Sequence, residues 1–447
     1  MNNAMPTTSA GTSAGFLERR FRIRRRGSTV RTELIAGFTT FATMAYVLAV
    51  VPGILEAGGV PRGPVTVAII IMAALSTLAM GIFTNRPLAL APGLGSVAFI
   101  ALTLSAVEGI PWQTSMGMVF ISGVAFMLLT VFGLREIITA IIPREIKIAI
   151  GAGVGLFICY IGFRSGGLVH ASESSNAIVM GNLGQPGAIL TLIGLGLVLL
   201  LYLRKVSGGL LLAILATTAI GIPLGVTSMP ESWFQLPSGI GAVAFQLDIL
   251  DALKFSFIPF IFALFVADFF STLGTLFAVG AKGNFLDKDG NFPNIKKPFL
   301  VDSASTMAGS LVAVPVMTTY VESTSGVEAG GRTGLTSIAT GGLFLATLLF
   351  TPIALMIPEQ ATAPVLILVG LLMLQPLRDI EVTNLPEALP AFFTIVVTIF
   401  SFNIGTGIAA GMVTYVVTKV CAGQFRSIPV GMWIMLVPLV YYFTTLA

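Results

Sequence analysis

From Leu34 onward the chain is a succession of long apolar runs separated by short polar breaks. A helix needs about 20 apolar residues to cross the hydrocarbon core of a bilayer, so this pattern demands a membrane fold. Composition agrees: 55% of the 447 residues are hydrophobic and 10% are charged, against about 25% charged in a soluble domain. The apolar runs between Leu34 and Val420 amount to roughly fourteen crossings, several of them shorter than a full span. Pro429–Leu446 then reads as an extra terminal hydrophobic helix. The 49 glycines suit close helix packing in lipid.

Charge is informative in its distribution. Arg19, Arg20, Arg22, Arg24, Arg25, Arg26 and Arg31 cluster before the first apolar run. Arg86, the Arg135–Lys147 loop, Arg204 with Lys205, the Lys282–Lys297 loop, Arg332 and Arg378 carry positive charge in alternation with sparsely charged loops such as Gly58–Gly63 and Glu108–Trp112. By the positive-inside rule the N-terminus is cytoplasmic. The arginine cluster also suits anionic headgroups, and a nucleic-acid partner is not expected. The first 27 residues hold no apolar core, so no cleavable signal is expected.

Several chemistries find no support. The Gly/Asp/Asn-rich loop 281–297 lacks calcium-loop spacing and its closing Glu. Cys159 and Cys421 sit in or near apolar spans as packing residues, and the single histidine, His170, lies in a polar loop. No nucleophile–base motif, nucleotide loop or metal spacing is present. An enzyme is not expected, nor a cofactor, and an ion gradient is the simplest energy source.

Two apolar segments are broken. Leu88–Leu104 is interrupted by Pro92, Gly93 and Gly95. Ala313–Gly334 is interrupted by Pro315 and then carries hydroxyls, Glu322 and glycines. Irregular backbone at membrane depth survives only where protein buries it or it lines a cavity. The two segments fall third in each half, seven spans apart and therefore in opposite orientation. Paired breaks of this kind point to a transporter binding site built from inverted repeats. The layout is a basic tail over 1–31, repeats over 32–226 and 256–422, a connector over 227–255 and a terminal helix over 423–447.

Intramembrane carboxylates are the first candidates for function. Glu322 accepts hydrogen bonds from a polar substrate or carries a proton; a structural ion pair with Arg332 is the alternative. Asp268 lies midway along an apolar run with no basic residue, and Ser271, Thr272 and Thr275 extend its face. A carboxyl satisfied by neighbouring hydroxyls is its plainer reading. Asp302 begins the ninth span as a lesser candidate. Thr39, Thr40 and Thr43 read as helix glue, and Arg164 as an interfacial residue. Tyr320 and Phe99 offer an aromatic wall.

The motifs GFTTFATMAYVL, APGLGSVAF, ADFFSTLGTLFAVGA and TTYVESTSGVEAGGRTGLTS together resemble the adenine/guanine/hypoxanthine permeases. These are a branch of the nucleobase–cation symporters related to the uracil and xanthine permeases. The resemblance runs from about Thr32 to the end. It implies an all-α polytopic fold of two inverted seven-span repeats, a core domain (spans 1–4 and 8–11) and a gate domain (spans 5–7 and 12–14). Short antiparallel strands in spans 3 and 10 would fall at about Gly95–Phe99 and Val316–Thr319. It also implies proton symport, often by homodimers, with an elevator-like movement of core against gate in the inner membrane. The implied substrate contacts are Glu322, Asp268, Ser96, Val97, Phe99, Tyr320, Val321, Thr319, Ser271 and Thr272, with the proton on Asp268 or Glu322. Two positions depart from the pattern: Val97 stands where these permeases usually carry Asn, followed by Ala98 and Phe99 instead of Ala-Tyr, and Ser271 where they usually carry a second Asp. A purine is the expected substrate. A uracil- or xanthine-like heterocycle, or an anion carried by the same fold, are the alternatives.

Overall fold

The computed structural model describes residues 16–133, 143–171, 178–230, 232–234, 238–288, 292–401, 404–433, 436 and 440. Among these, eight helices are long and apolar enough to cross a membrane, from Val30–Ala57 to Glu359–Asp379. Shorter apolar helices at Leu94–Val107, Gly209–Gly221, Leu385–Ser401 and Gly405–Cys421, the helix Lys296–Ser310 and the broken segment around Glu322 complete two seven-span repeats. Most of the expected terminal helix Pro429–Leu446 lies outside the described residues.

The two broken segments meet. Strand β1 (Leu90–Pro92) pairs antiparallel with β4 (Met317–Thr319), in the register Leu90↔Thr319, Ala91↔Thr318 and Pro92↔Met317. The ladder is extended by Gly93 N–H to the Val316 carbonyl and Tyr320 N–H to the Ala89 carbonyl, both 2.9 Å. Proline explains why neither segment stays helical. It lacks an N–H and pushes the residue before it into extended backbone, here Ala91 before Pro92 and Val314 before Pro315.

This corrects the expected position of the first strand. Gly95–Phe99 is not extended: Leu94–Ala98 is helical and continues through Val107, and the strand lies before it. The second strand falls inside the expected Val316–Thr319. The loop holding His170 also contains more structure than expected, a hairpin of β2 (Val169–Ala171) and β3 (Ile178–Met180).

Two strands leave their outer edges unpaired, and each repeat covers its edge with a threonine. Thr77, on the helix before β1, accepts from Leu90 N–H at 3.0 Å and donates to the Leu90 carbonyl at 3.1 Å. Thr306, on the helix before β4, accepts from Met317 N–H at 3.0 Å and lies 3.1 Å from the Met317 carbonyl. The same device at equivalent places is the inverted repeat expressed in hydrogen bonds. Thr319 N–H adds a bond to Thr272 Oγ1 at 3.1 Å, and Ala89 N–H one to Ser323 Oγ at 3.0 Å.

The helices form two groups. In one, Arg62–Thr84 packs on Gly334–Thr347 and Lys296–Ser310, Val30–Met44 packs on Gly334–Thr347, and Trp112–Phe132 packs on Lys296–Ser310 and Ile258–Lys282. In the other, Arg144–Ser165 packs on Glu359–Met373 and Leu385–Ser401, and Pro186–Leu203 on Gly209–Gly221. These are the core and gate. Close approach needs glycine: a Cβ on Gly334 would sit 2.0 Å from the Gly81 carbonyl oxygen.

A buried acid ties the first span to the loop after the second break. Glu33, fully buried, accepts from the amides of Arg332 at 2.9 Å and Thr333 at 3.2 Å, and from Thr336 Oγ1 at 2.6 Å. The Arg332 guanidinium instead donates to the Val327 and Gly331 carbonyls, so it is not the partner of Glu322.

The edge bonds of Thr77 give a prediction. Thr77→Val keeps the shape and strands the Leu90 N–H and C=O, each costing about 1–3 kcal/mol when buried unpaired. The expected outcome is a clear fall in the detergent melting temperature, largely restored in Thr77→Ser.

Candidate functional site

Between core and gate lies a cavity of about 320 Å³ with the strand pair at its floor. The core lines it with Gly93 to Ser96, Asp268, Ser271, Thr275 and Thr318 to Glu322; the gate contributes Ile150, Val154, Val369 and Met373. Gly95 is what lets the two approach, since a Cβ there would meet Val154 Cγ1 at 2.6 Å.

Glu322 sits at the start of the short helix Ser323–Glu328, just after the ladder ends. Tyr46 donates to its Oε1 at 2.8 Å. Tyr46 lies where the first span breaks between Val30–Met44 and Val47–Ala57, and that break turns its ring inward. Tyr320 donates across the ladder to the Pro92 carbonyl at 2.5 Å, closing one side of the cavity. After the opposite strand, Leu94–Ala98 begins a helix, whose first-turn amides have no intrahelical acceptors and whose residues Leu94 to Ser96 line the same space. Ser96 Oγ donates back to the Gly93 carbonyl at 2.8 Å.

Asp268 and Ser271 share one face of Ile258–Lys282, as their spacing requires. Thr306 Oγ1 is 3.2 Å from Asp268 Oδ2. A hydroxyl has one proton, so Thr306 donates to Asp268 or to the Met317 carbonyl, and the acid is linked to strand β4 through it. Asp302, fully buried on the next helix, faces the Asp268 carboxyl. The Thr272 hydroxyl is its other polar neighbour; neither Asp302 oxygen nor Asp268 Oδ1 reaches full hydrogen-bond geometry with a partner among the described residues.

The expected site residues therefore divide. Glu322, Asp268, Ser96, Tyr320, Val321, Thr319 and Ser271 line the cavity. Thr272 lies behind the wall, 2.9 Å from Thr318 Oγ1. Val97 and Phe99 do not line the cavity: Val97 is fully buried, and Phe99 packs edge-on against Phe260 at 6.1 Å. Their displacement follows from the misplaced strand, since a helix turns these side chains away from β4. Thr43 holds Ser325 at 2.8 Å, and Thr40 packs where a Gly326 Cβ would clash, so this hydroxyl face is glue. Arg164 is exposed at the end of its helix.

Sequence reasoning missed Tyr46 and Lys147. Tyr46 is the lone phenol of the first span, which was the available signal. Lys147 lines the cavity from the gate, its Nζ 4.8 Å from the Phe270 ring of the core. Among the described residues no group of three or more His, Cys, Asp or Glu could hold a metal.

The profile of the xanthine/uracil permeases, described as "Permease family", matches residues 31–415. The chain belongs to this family. It is 40% identical to a putative permease of Methanocaldococcus jannaschii over 92% of this chain and 94% of the relative. It is 38% identical to the adenine permease AdeQ of Escherichia coli, covering 96% of both, and 35% identical to the guanine/hypoxanthine permease PbuO of Bacillus subtilis, covering 91% and 96%. Among solved structures, the transmembrane domain of the cyanobacterial bicarbonate transporter BicA matches with a TM-score of 0.65 at 16% identity, covering 85% of this chain and 97% of that one. Murine Slc26a9, an anion transporter, matches with 0.66 at 13%, covering 94% and 74%. These two share the fold, and this protein is a permease built on it.

Position 97 allows a test. Val97→Asn would bury an amide with no partner, at about 1–3 kcal/mol. The expected result is lower thermal stability with an unchanged rank order of competing ligands.

Proposed function

We propose that the protein imports a purine nucleobase, of the adenine, guanine or hypoxanthine class, by proton symport across the inner membrane with its N-terminus cytoplasmic. One observation carries the reading. A carboxylate, Glu322, lines a small cavity between core and gate, held by Tyr46 and across from the start of the Leu94–Ala98 helix. Its oxygens suit ring and exocyclic N–H groups, and the Leu94–Ser96 amides suit ring nitrogen or carbonyl oxygen. A flat heterocycle with donors on one edge and acceptors on the other satisfies both. The matched relatives named as adenine and guanine/hypoxanthine permeases support the same class.

Coupling falls to the Asp268–Asp302 pair and Glu322. Two carboxyls facing each other in a water-poor interior are best accommodated by sharing a proton. Thr306 connects that pair to the strand that carries the substrate contacts. Strands, carboxylates and Tyr46 all belong to the core, while the gate supplies Lys147 and an otherwise apolar wall. Movement of the core as a unit against the gate would carry the occupied site across the membrane. Each repeat, over 32–226 and 256–422, would give its first four spans to the moving core and its last three to the gate, and a homodimer would anchor the gates.

The anion transporters that share the fold suggest a second substrate class. Glu322 and Asp268 in the cavity weigh against it, because an anion would meet two carboxyls there against a single lining cation, Lys147, among the described residues.

Binding and uptake measurements test this. Adenine and hypoxanthine should compete for uptake, with uracil, xanthine and bicarbonate far weaker. Glu322→Gln should weaken binding on the order of 10- to 100-fold, as for a lost charged hydrogen bond; wild-type binding by this variant would remove Glu322 from the site. Collapsing the proton gradient should abolish accumulation, and Asp268→Asn should keep binding while losing accumulation. Accumulation that ignores the proton gradient and requires sodium would overturn the coupling.

A further inference from the structure

A second hollow, unrelated to the transport cavity, lies on the outer side of the core. It is a groove of about 500 Å³ between Arg62–Thr84 and Lys296–Ser310. Met72, Leu75, Ala79 and Phe83 line one wall, with Leu300, Val301, Ala304 and Ala308 on the other. Ser305 contributes little polarity, since its hydroxyl returns to the Val301 carbonyl at 2.7 Å.

The groove has a direction. From Met72 to Phe83, and from Lys297 to Ala308, each wall runs eleven residues, or about 16 Å at 1.5 Å per residue. That is about half of a ~30 Å hydrocarbon core, the depth of one leaflet. Positive charge gathers at the Phe83 end. Lys297 lines the groove there, exposed and without an ion-pair partner among the described residues. Arg20, also exposed, donates to the carbonyl of Ile82, next to Phe83. It uses part of a guanidinium that has five donors.

We infer that this groove is a binding site for one anionic phospholipid. Its acyl chain lies between the two helices, and its phosphate is held by Lys297 and Arg20. A groove one leaflet deep, apolar along its length and basic at one end, matches a single lipid better than a protein helix, which would extend across both leaflets. The basic N-terminal segment serves this site by delivering Arg20 to the headgroup level. Asn85 Nδ2 fastens that segment through the Phe21 carbonyl at 3.0 Å, as does Arg26 through the Asn85 carbonyl at 2.6 Å.

The test is native mass spectrometry of the purified full chain in detergent with added phosphatidylglycerol, phosphatidylcholine of the same chains, or inorganic phosphate. Phosphatidylglycerol should be retained over phosphatidylcholine. Lys297→Glu and Arg20→Glu, both surface changes, should each lower its retention about fivefold. Ala304→Phe, which fills the groove, should remove both lipids, with a monodisperse elution profile as the folding control. Equal retention of the two lipids with indifference to the charge variants would overturn the proposal. So would full competition by inorganic phosphate, which would make the site a free-anion site. A dimer that Ala304→Phe converts to monomer would also overturn it, because the face would then belong to a second copy.

Discussion

The hydrogen bonds between β1 and β4 are the constraint on which the rest of the structure depends. Prolines at 92 and 315 prevent two segments from closing their own backbone bonds inside the membrane. Each unpaired group there would cost several kcal/mol, so the two breaks must find each other. Once they pair, the two repeats are locked face to face, and the segments that follow leave the antiparallel ladder at its two ends. The site is a consequence: the ladder is only three residues long, so Glu322 beyond one end and Leu94–Ser96 beyond the other line one cavity.

Two strands alone cannot satisfy their outer edges, and threonine solves this without adding charge. Thr77 and Thr306 each offer one hydroxyl to both the N–H and the C=O of one strand residue. The two repeats differ in one respect. Thr77 serves only the strand, while Thr306 also reaches Asp268. The second repeat therefore couples its strand to an acid where the first does not. Functional asymmetry thus arises within a symmetric frame by placing a carboxyl beside a bond the frame already needs.

The architecture was legible because bilayer thickness dictates the length of apolar runs and proline dictates where they break. Glu322 and Asp268 were legible because charge is rare at that depth. The exact strand was not. Pro92 marks a break, but nothing local says whether the extended residues precede or follow it. The structure puts them before, at Leu90–Pro92, and Gly93 starts a helix. That shift of a few residues moves Val97 and Phe99 from the substrate's side to the helix's far side. Tyr46 and Lys147 were harder still, since their roles depend on contacts between elements distant in sequence: 276 residues separate Tyr46 from Glu322.

This relocation changes how the departures from the family pattern bear on substrate choice. Val97 replaces an amide usually found in the relatives, yet here it lies in the packed interior and cannot present or withhold a hydrogen bond in the cavity. Ser271 does line the cavity, 3.1 Å from Thr318 Oγ1, so the loss of a carboxylate at 271 is felt directly. It leaves Asp268 and Glu322 as the cavity's acids and puts a neutral hydroxyl chain, Ser271–Thr318–Thr272, between the helix and the strand. A site with fewer charges relies more on shape and on its backbone donors. On the proposed function, selectivity would rest on the spacing between Glu322 and the start of the Leu94–Ala98 helix, which the β1–β4 register sets.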